Sequence, residues 1–401
     1  MRTLLRALIA ILAVLVMAGA VLFLWQGDRI ERLGRVNSLF APDLIVGNFS
    51  AMDTMFETAA LPRGDGPVTP LPADPRPLPD SFTHAGTTHD LDTWLEEQQA
   101  TGLVVLVNGA IAHESYRLGT GEADRRISWS VAKSVLSVLL GTVVEAGEIA
   151  SLDDPVQLYA PSLAGSAYDG VTIRQVANMA SGVTFDEDYL DFWSDINHMG
   201  RVLALGFSMD GFAARLSERD RPAGEHWQYV SIDTHVLGMV IEGATGRPVA
   251  DLMPERVIAP LGLEADAYYV TDGHGTAFVL GGLNLTTRDY ARFGLMVAQG
   301  GVIDGRRIVS EEWIALSTRA SAPPPAPGSD EVHGYGLQWW VPRGADAGEV
   351  YAVGIYDQFV YIDPAREVVI ALNSANRGFR GAGVRDGQIE MFRAIAAHVA
   401  D

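Results

Sequence analysis

The sequence predicts an α+β body: an antiparallel sheet flanked by helices, closed by strands from both ends of the domain, with a mostly helical second subdomain between them. Strand-like runs occur early, at Leu103–Val107 and Ala110–Tyr116, and return only late, at Val350–Ile362 and Glu367–Leu372. The intervening sequence reads mainly as helix and loop, and Gln388–Val399 reads as a terminal amphipathic helix. Strands at both ends around a helical middle suit an α+β domain rather than alternating βαβ units.

The chain opens with Arg2 and Arg6, followed by the apolar run Ala7–Trp25, which is about long enough to cross a hydrocarbon core as a helix. Residues 1–25 are therefore expected to form a membrane anchor. Cleavage after Ala18-Gly19-Ala20 would release a secreted protein, but it would leave Val21–Trp25 as an apolar stub, so an uncleaved anchor is preferred. Arg29, Arg32 and Arg35 beyond the run offset the arginines before it, so the orientation rests on the long downstream domain, expected outside the cytoplasm on the periplasmic face. Residues 26–87 read as a juxtamembrane and proline-rich linker, because the repeated prolines of Leu61–Pro79 disfavour helix and strand alike. The globular domain is expected over 88–401.

Within that domain, Asn108-Gly109 between two β-rich runs predicts a hairpin, since both residues tolerate positive φ. Val131–Val144 and Ser231–Glu242 read as helices, with Gly147 and Gly243 as stop signals. The cluster Pro323, Pro324, Pro325 and Pro327 marks a loop over Ala320–Asp330.

Composition narrows the function. A chain of 401 residues with 48% hydrophobic content can bury a sizeable core. A formal net charge of -21 argues against nucleic acid or an anionic membrane surface as the main partner. The absence of cysteine excludes disulfides, thiol nucleophiles and cysteine-based metal sites.

Of the 29 lysine and arginine positions, only Lys133 is lysine, three residues after Ser130 in Ser130-Val131-Ala132-Lys133. A genome that favours arginine codons accounts for the missing lysines but not for the one retained. Arginine stays charged under ordinary conditions, whereas a desolvated lysine can lose its proton and act as a base. The i,i+3 spacing puts both side chains on one face at the start of a helix that is apolar on nearly all sides. A serine at that helix end also meets free backbone N–H groups able to hold an oxyanion.

A further pair, Tyr229 and Ser231, precedes the helix Ile232–Glu242. By themselves they read as a half-buried core aromatic and an N-cap; beside Ser130 and Lys133, the phenol could relay protons.

Ser130-x-x-Lys133, Tyr229-x-Ser231 and a late strand glycine at Gly354 resemble the three signatures of the serine β-lactamase and DD-peptidase superfamily, class C-like branch. The wording is most similar to 6-aminohexanoate-dimer hydrolases and related esterases: Ser128-Trp129-Ser130-Val131-Ala132-Lys133-Ser134, Tyr229-Val230-Ser231-Ile232-Asp233-Thr234 and Gly354-Ile355-Tyr356-Asp357-Gln358. The resemblance implies a β-lactamase/transpeptidase-like fold, Ser130 as acylated nucleophile, Lys133 as base and Tyr229 as proton relay. It also implies an oxyanion hole from the backbone N–H groups of Ser130 and Ile355, with Ser231 and Gly354 in support, and no cofactor or metal.

Two departures bear on substrate. Ala352 stands where family β-lactamases carry a lysine or histidine for the substrate carboxylate, and Ser231 stands where they tend to have asparagine. A small-molecule amide, ester or peptide-like substrate is therefore expected ahead of a β-lactam or a D-Ala-D-Ala peptide. Trp193, Tyr189 and Tyr356 are candidates for the pocket wall.

Rival chemistries lack their patterns. No Gly-x-Ser-x-Gly elbow occurs, and His113-Glu114 is followed by Arg117 where a second zinc ligand would be needed. A membrane-anchored penicillin sensor that acylates without turnover remains the alternative from another functional class.

Overall fold

The computed structural model describes the backbone of residues 2–400 and, in the first helix, the side chains of residues 4–17, 19, 27 and from 31 onward. That helix, Arg2–Asn37, carries exposed apolar side chains from Leu4 to Met17. Among the described residues no helix is long and apolar enough to cross a membrane, so the expected span finds no support here. Residues 1–3, 18 and 20–25 of the expected anchor lie outside the described side chains.

Seven antiparallel strands form the main sheet in the order Gly334–Tyr335, Trp340–Val341, Val350–Gly354, Gln358–Asp363, Val368–Ser374, Ala100–Val107 and Ala110–Tyr116. The early strands thus join the late ones, with Leu103 opposite Leu372 and Val107 opposite Val368. Asn108 and Gly109, at φ +50° and +77°, make the predicted two-residue turn between paired Val107 and Ala110.

Alternate residues of the central strands enter two different cores. Val104, Leu106, Val360 and Ile362 face the core shared with helices Val131–Glu145 and Thr287–Ala298. Leu103, Val105, Val107 and Ile370 face Trp94, Phe392 and Ile395 of helices Leu91–Glu97 and Val384–Ala400. With both faces covered, a continuous apolar run is the pattern such strands require.

The expected linker is corrected. Leu39, Ile45, Phe49, Met52 and Leu61 are buried, and Glu57–Leu61 pairs with Ala267–Thr271 in a second, four-stranded sheet. Their apolar side chains complete the larger core, so the body begins by Leu39 rather than at residue 88. The proline-rich stretch is a strap: Asp74 and Arg76 donate backbone N–H groups to the carbonyls of Ile111 and Ala112 at 2.9 and 2.8 Å.

Gly147 follows its helix at φ +73°, as a stop signal should. Gly243 does not stop the second helix, which runs Ser231–Thr245 and ends on Gly246 at φ +66°. A Cβ at Gly243 would lie 1.8 Å from the Tyr159 carbonyl oxygen, so this glycine serves a close backbone approach. Helix Val131–Glu145 packs against both helix Ser231–Thr245 and strand Val350–Gly354, which gathers the three motifs at one end of the body.

Candidate active site

Ser130 is the N-cap of helix Val131–Glu145, yet its side chain makes no capping bond, so the hydroxyl is left for other contacts. The preceding Trp129 adopts φ +43°, a conformation that favours glycine, and its ring is wedged among Phe40, Phe49 and Tyr356 at 5.7, 5.6 and 6.4 Å. Such packing holds a strained residue in place beside Ser130.

Lys133, one turn on, is 1% exposed. Its Nζ lies 2.8 Å from Ser130 Oγ and donates to the Leu280 carbonyl at 2.8 Å. Burial pushes this amine down from 10.5 to about 7, against the opposing pull of the Glu187 carboxylate.

The side chains of Ser130 and Ser231 favour the ionised form of the Tyr229 phenol without outweighing its burial. Its ring centroid is 5.3 Å from Lys133 Nζ and it stacks on Trp340 at 5.6 Å. Burial, and then the charge of Glu187, raise the phenol above its ordinary value. At neutral pH the phenol stays protonated while the amine is close to half neutral.

Ser231 is the first residue of its helix rather than the N-cap, which is Val230. Its backbone N–H donates to Glu187 Oε2 at 2.9 Å and its hydroxyl donates to Oε1, which also accepts from Tyr189 Oη at 2.5 Å. A carboxylate at a helix N-terminus is favourably placed, although burial raises its pKa. Sequence reasoning missed Glu187, because Asp186-Glu187-Asp188 offers three carboxylates and no spacing that selects the middle one.

Gly354 touches the serine turn directly. A Cβ there would lie 2.4 Å from the Ser128 carbonyl oxygen, 2.8 Å from Trp129 Cβ and 2.9 Å from the Ser130 nitrogen. Ile355, the next residue, lines the same cavity as Ser130. Ala352 is fully buried in the core and brings no cation to the site. The cavity's arginines come from elsewhere: Arg385 donates from Nη2 to Glu331 Oε1 and Oε2 at 2.9 and 2.7 Å and lies 4.8 Å from the Trp340 centroid.

The cavity holds about 480 Å³. Tyr189 lines it as expected; Tyr356 instead stacks on Phe40 at 5.0 Å, and Trp193 is 81% exposed outside it. Trp227, Trp340 and Phe379 form walls that no motif announced.

Comparison with known proteins agrees with this architecture. Residues 91–390 match the Beta-lactamase family. The 6-aminohexanoate-dimer hydrolase of Paenarthrobacter ureafaciens is 33% identical over 333 residues, covering 80% of this chain and 83% of the relative. Esterase EstB of Burkholderia gladioli is 30% identical over 193 residues, 43% of this chain and 48% of that one. In fold, the chain superposes with a TM-score of 0.79 on a solved structure from Bacillus anthracis, provisionally named a 6-aminohexanoate-dimer hydrolase, at 22% identity over 90% of this chain and 96% of that one. A helix-borne serine and buried lysine, set against a glycine strand of an antiparallel sheet, thus occur in a chain that belongs to the β-lactamase family and is, like its relatives, a hydrolase.

Proposed function

We propose that this protein hydrolyses an amide or ester bond of a small substrate by two-step acyl transfer through Ser130. The contact between Lys133 Nζ and Ser130 Oγ at 2.8 Å, with the amine buried and pushed toward neutrality, carries the reading. A neutral amine that donates to Leu280 keeps its lone pair for the serine proton.

Ser130 Oγ attacks the carbonyl carbon while Lys133 takes its proton, and the backbone N–H groups of Ser130 and Ile355 hold the oxyanion. Tyr229, kept as the phenol, gives its proton to the leaving amine or alcohol and regains one from Lys133. Water then attacks the acyl ester on Ser130 and releases the acid. The names of the two relatives, one a dimer hydrolase acting on 6-aminohexanoate units and one an esterase, support an amide or ester substrate, as does the missing cation at Ala352.

A fluorophosphonate probe, run beside a panel of p-nitrophenyl esters, linear amides, nitrocefin and D-Ala-D-Ala peptides, tests the reading. Labelling that disappears in Ser130→Ala, with turnover of an ester or amide, is the expected result. Labelling that persists unchanged in that variant defeats it, and stable acylation without turnover favours the penicillin-sensor alternative.

The exposed apolar side chains Leu4, Leu8, Leu12 and Leu15 support a second proposal, that the first helix tethers the catalytic domain to a membrane outside the cytoplasm. Full recovery of the protein in the soluble fraction of lysed cells counts against it.

A further inference from the structure

We infer that Asp357 is a positioning residue for the oxyanion hole, anchoring the turn that presents the Ile355 N–H beside Ser130. The inference rests on the proposed role of that N–H.

Ile355, Tyr356 and Asp357 form the tight turn between paired Gly354 and Gln358. Tyr356 and Asp357 both have φ +61°, so two consecutive side-chain-bearing residues hold a conformation that favours glycine. Asp357 is also a carboxylate only 3% exposed, held among the described residues by two neutral amides. Asn376 Nδ2 and Gln388 Nε2 donate to its Oδ2 at 2.6 and 3.0 Å. A residue that breaks the local backbone preference and the usual cost of burying charge at the same point calls for a functional reason.

The surrounding bonds suggest what that reason is. Asn376 also donates to Gln98 Oε1 at 2.6 Å, and Gln388 accepts from Trp94 Nε1 at 3.1 Å. Through these relays Asp357 ties the turn to helix Leu91–Glu97, to the segment after strand Val368–Ser374, and to helix Val384–Ala400. Gln358 Nε2 grips the Tyr356 carbonyl at 3.0 Å and the Ser374 carbonyl at 2.7 Å. On the other side Gly354 abuts the Ser130 backbone. Ile355 is therefore one residue from the contact with the nucleophile and two from the anchor. A strained turn keeps its shape only while its surroundings over-determine it, so cutting the anchor lets the N–H swing away.

The test compares wild type, Asp357→Ala and Asp357→Asn on a p-nitrophenyl ester and on an arylboronic acid, which forms a tetrahedral adduct with a nucleophilic serine. Complete loss of an oxyanion donor costs about 100- to 1,000-fold in kcat, so a displaced donor in Asp357→Ala should cost roughly 10- to 100-fold, with KM within about threefold. Boronate affinity should fall in parallel. Asp357→Asn, whose amide oxygen accepts the same two bonds, should keep at least roughly a third of wild-type kcat. Normal kcat and boronate affinity in Asp357→Ala, whatever its melting temperature, overturns the inference. So does an Asn variant as damaged as the Ala variant, which assigns the role to charge. Should Asp357→Ala fail to fold, the double variant Asn376→Ala/Gln388→Ala removes the same anchor and must show the same kcat loss. Wild-type turnover that survives Ser130→Ala instead sinks the catalytic reading beneath the inference.

Discussion

Lys133 Nζ sits 2.8 Å from Ser130 Oγ in a wall that leaves the lysine 1% exposed. Moving the amine from 10.5 to about 7 corresponds to a burden on the charged form of roughly 5 kcal/mol. On the proposed mechanism the neutral amine is the base, so activity should rise with pH up to about 7 and level off above it. Below that point kcat/KM should fall about tenfold per pH unit, the slope of a single essential ionisation. A kcat/KM profile measured with a neutral ester checks this, and a flat profile between pH 5 and 9 contradicts it.

Lys133→Arg preserves charge and most of the bulk but cannot surrender a proton. Turnover at neutral pH should drop at least about a hundredfold, within the range attributed to general base catalysis. Retention of more than about a tenth of the wild-type rate would remove Lys133 from that role.

Tyr229→Phe separates the two ends of the reaction. An amine must be protonated as it leaves, whereas p-nitrophenolate departs without help. The variant should lose about 100-fold or more on a linear amide but less than about tenfold on the p-nitrophenyl ester. Equal losses on both substrates would place the phenol at the attack step instead.

How far the site is legible in the sequence depends on how local each contact is. Ser130 and Lys133 share one helical turn, so spacing alone predicts their meeting. Tyr229 and Gly354 reach the same place through tertiary packing, so the phenol could be singled out only beside Ser130 and Lys133, and the glycine only by the resemblance of its motif to a known family. Glu187 has no motif, and its bonds to Ser231 emerge only when the loop folds over the helix start. The sheet was readable because its central strands are continuous apolar runs. Leu39, Ile45, Phe49 and Leu61 were not, because the short apolar runs that hold them, such as Leu44-Ile45-Val46, show no sustained helix or strand period until Glu57–Leu61 finds its partner strand. Gly243 was misread for the same reason, since the Tyr159 carbonyl that demands a glycine there is 84 residues away in sequence.

Glu187→Gln should shift the pH profile rather than abolish activity. The carboxylate favours the charged form of Lys133, opposing the effect of burial. Removing it should lower the lysine's pKa, moving the acid limb of kcat/KM down by roughly half to one pH unit. The glutamine loses part of the cap on helix Ser231–Thr245, so a stability loss of about 1 kcal/mol should accompany the shift. An acid limb that stays in place or moves upward would dissociate Glu187 from the amine.

Gly354→Ala probes the fit between the strand and the serine turn. The added methyl would lie 2.4 Å from the Ser128 carbonyl oxygen and 2.9 Å from the Ser130 nitrogen, distances that real Cβ atoms essentially never show. Both close atoms are backbone, so the strand or the turn must move rather than a flexible side chain. Overpacking of this kind costs about 1–3 kcal/mol of stability. It should also separate the Ile355 N–H from Ser130 Oγ and lower kcat about 100-fold, the cost of losing an oxyanion donor. Thermal melting read beside kcat distinguishes the two effects: a variant that melts normally and turns over normally shows that the strand can retreat without disturbing the nucleophile, and the close contact at Gly354 then has no catalytic consequence.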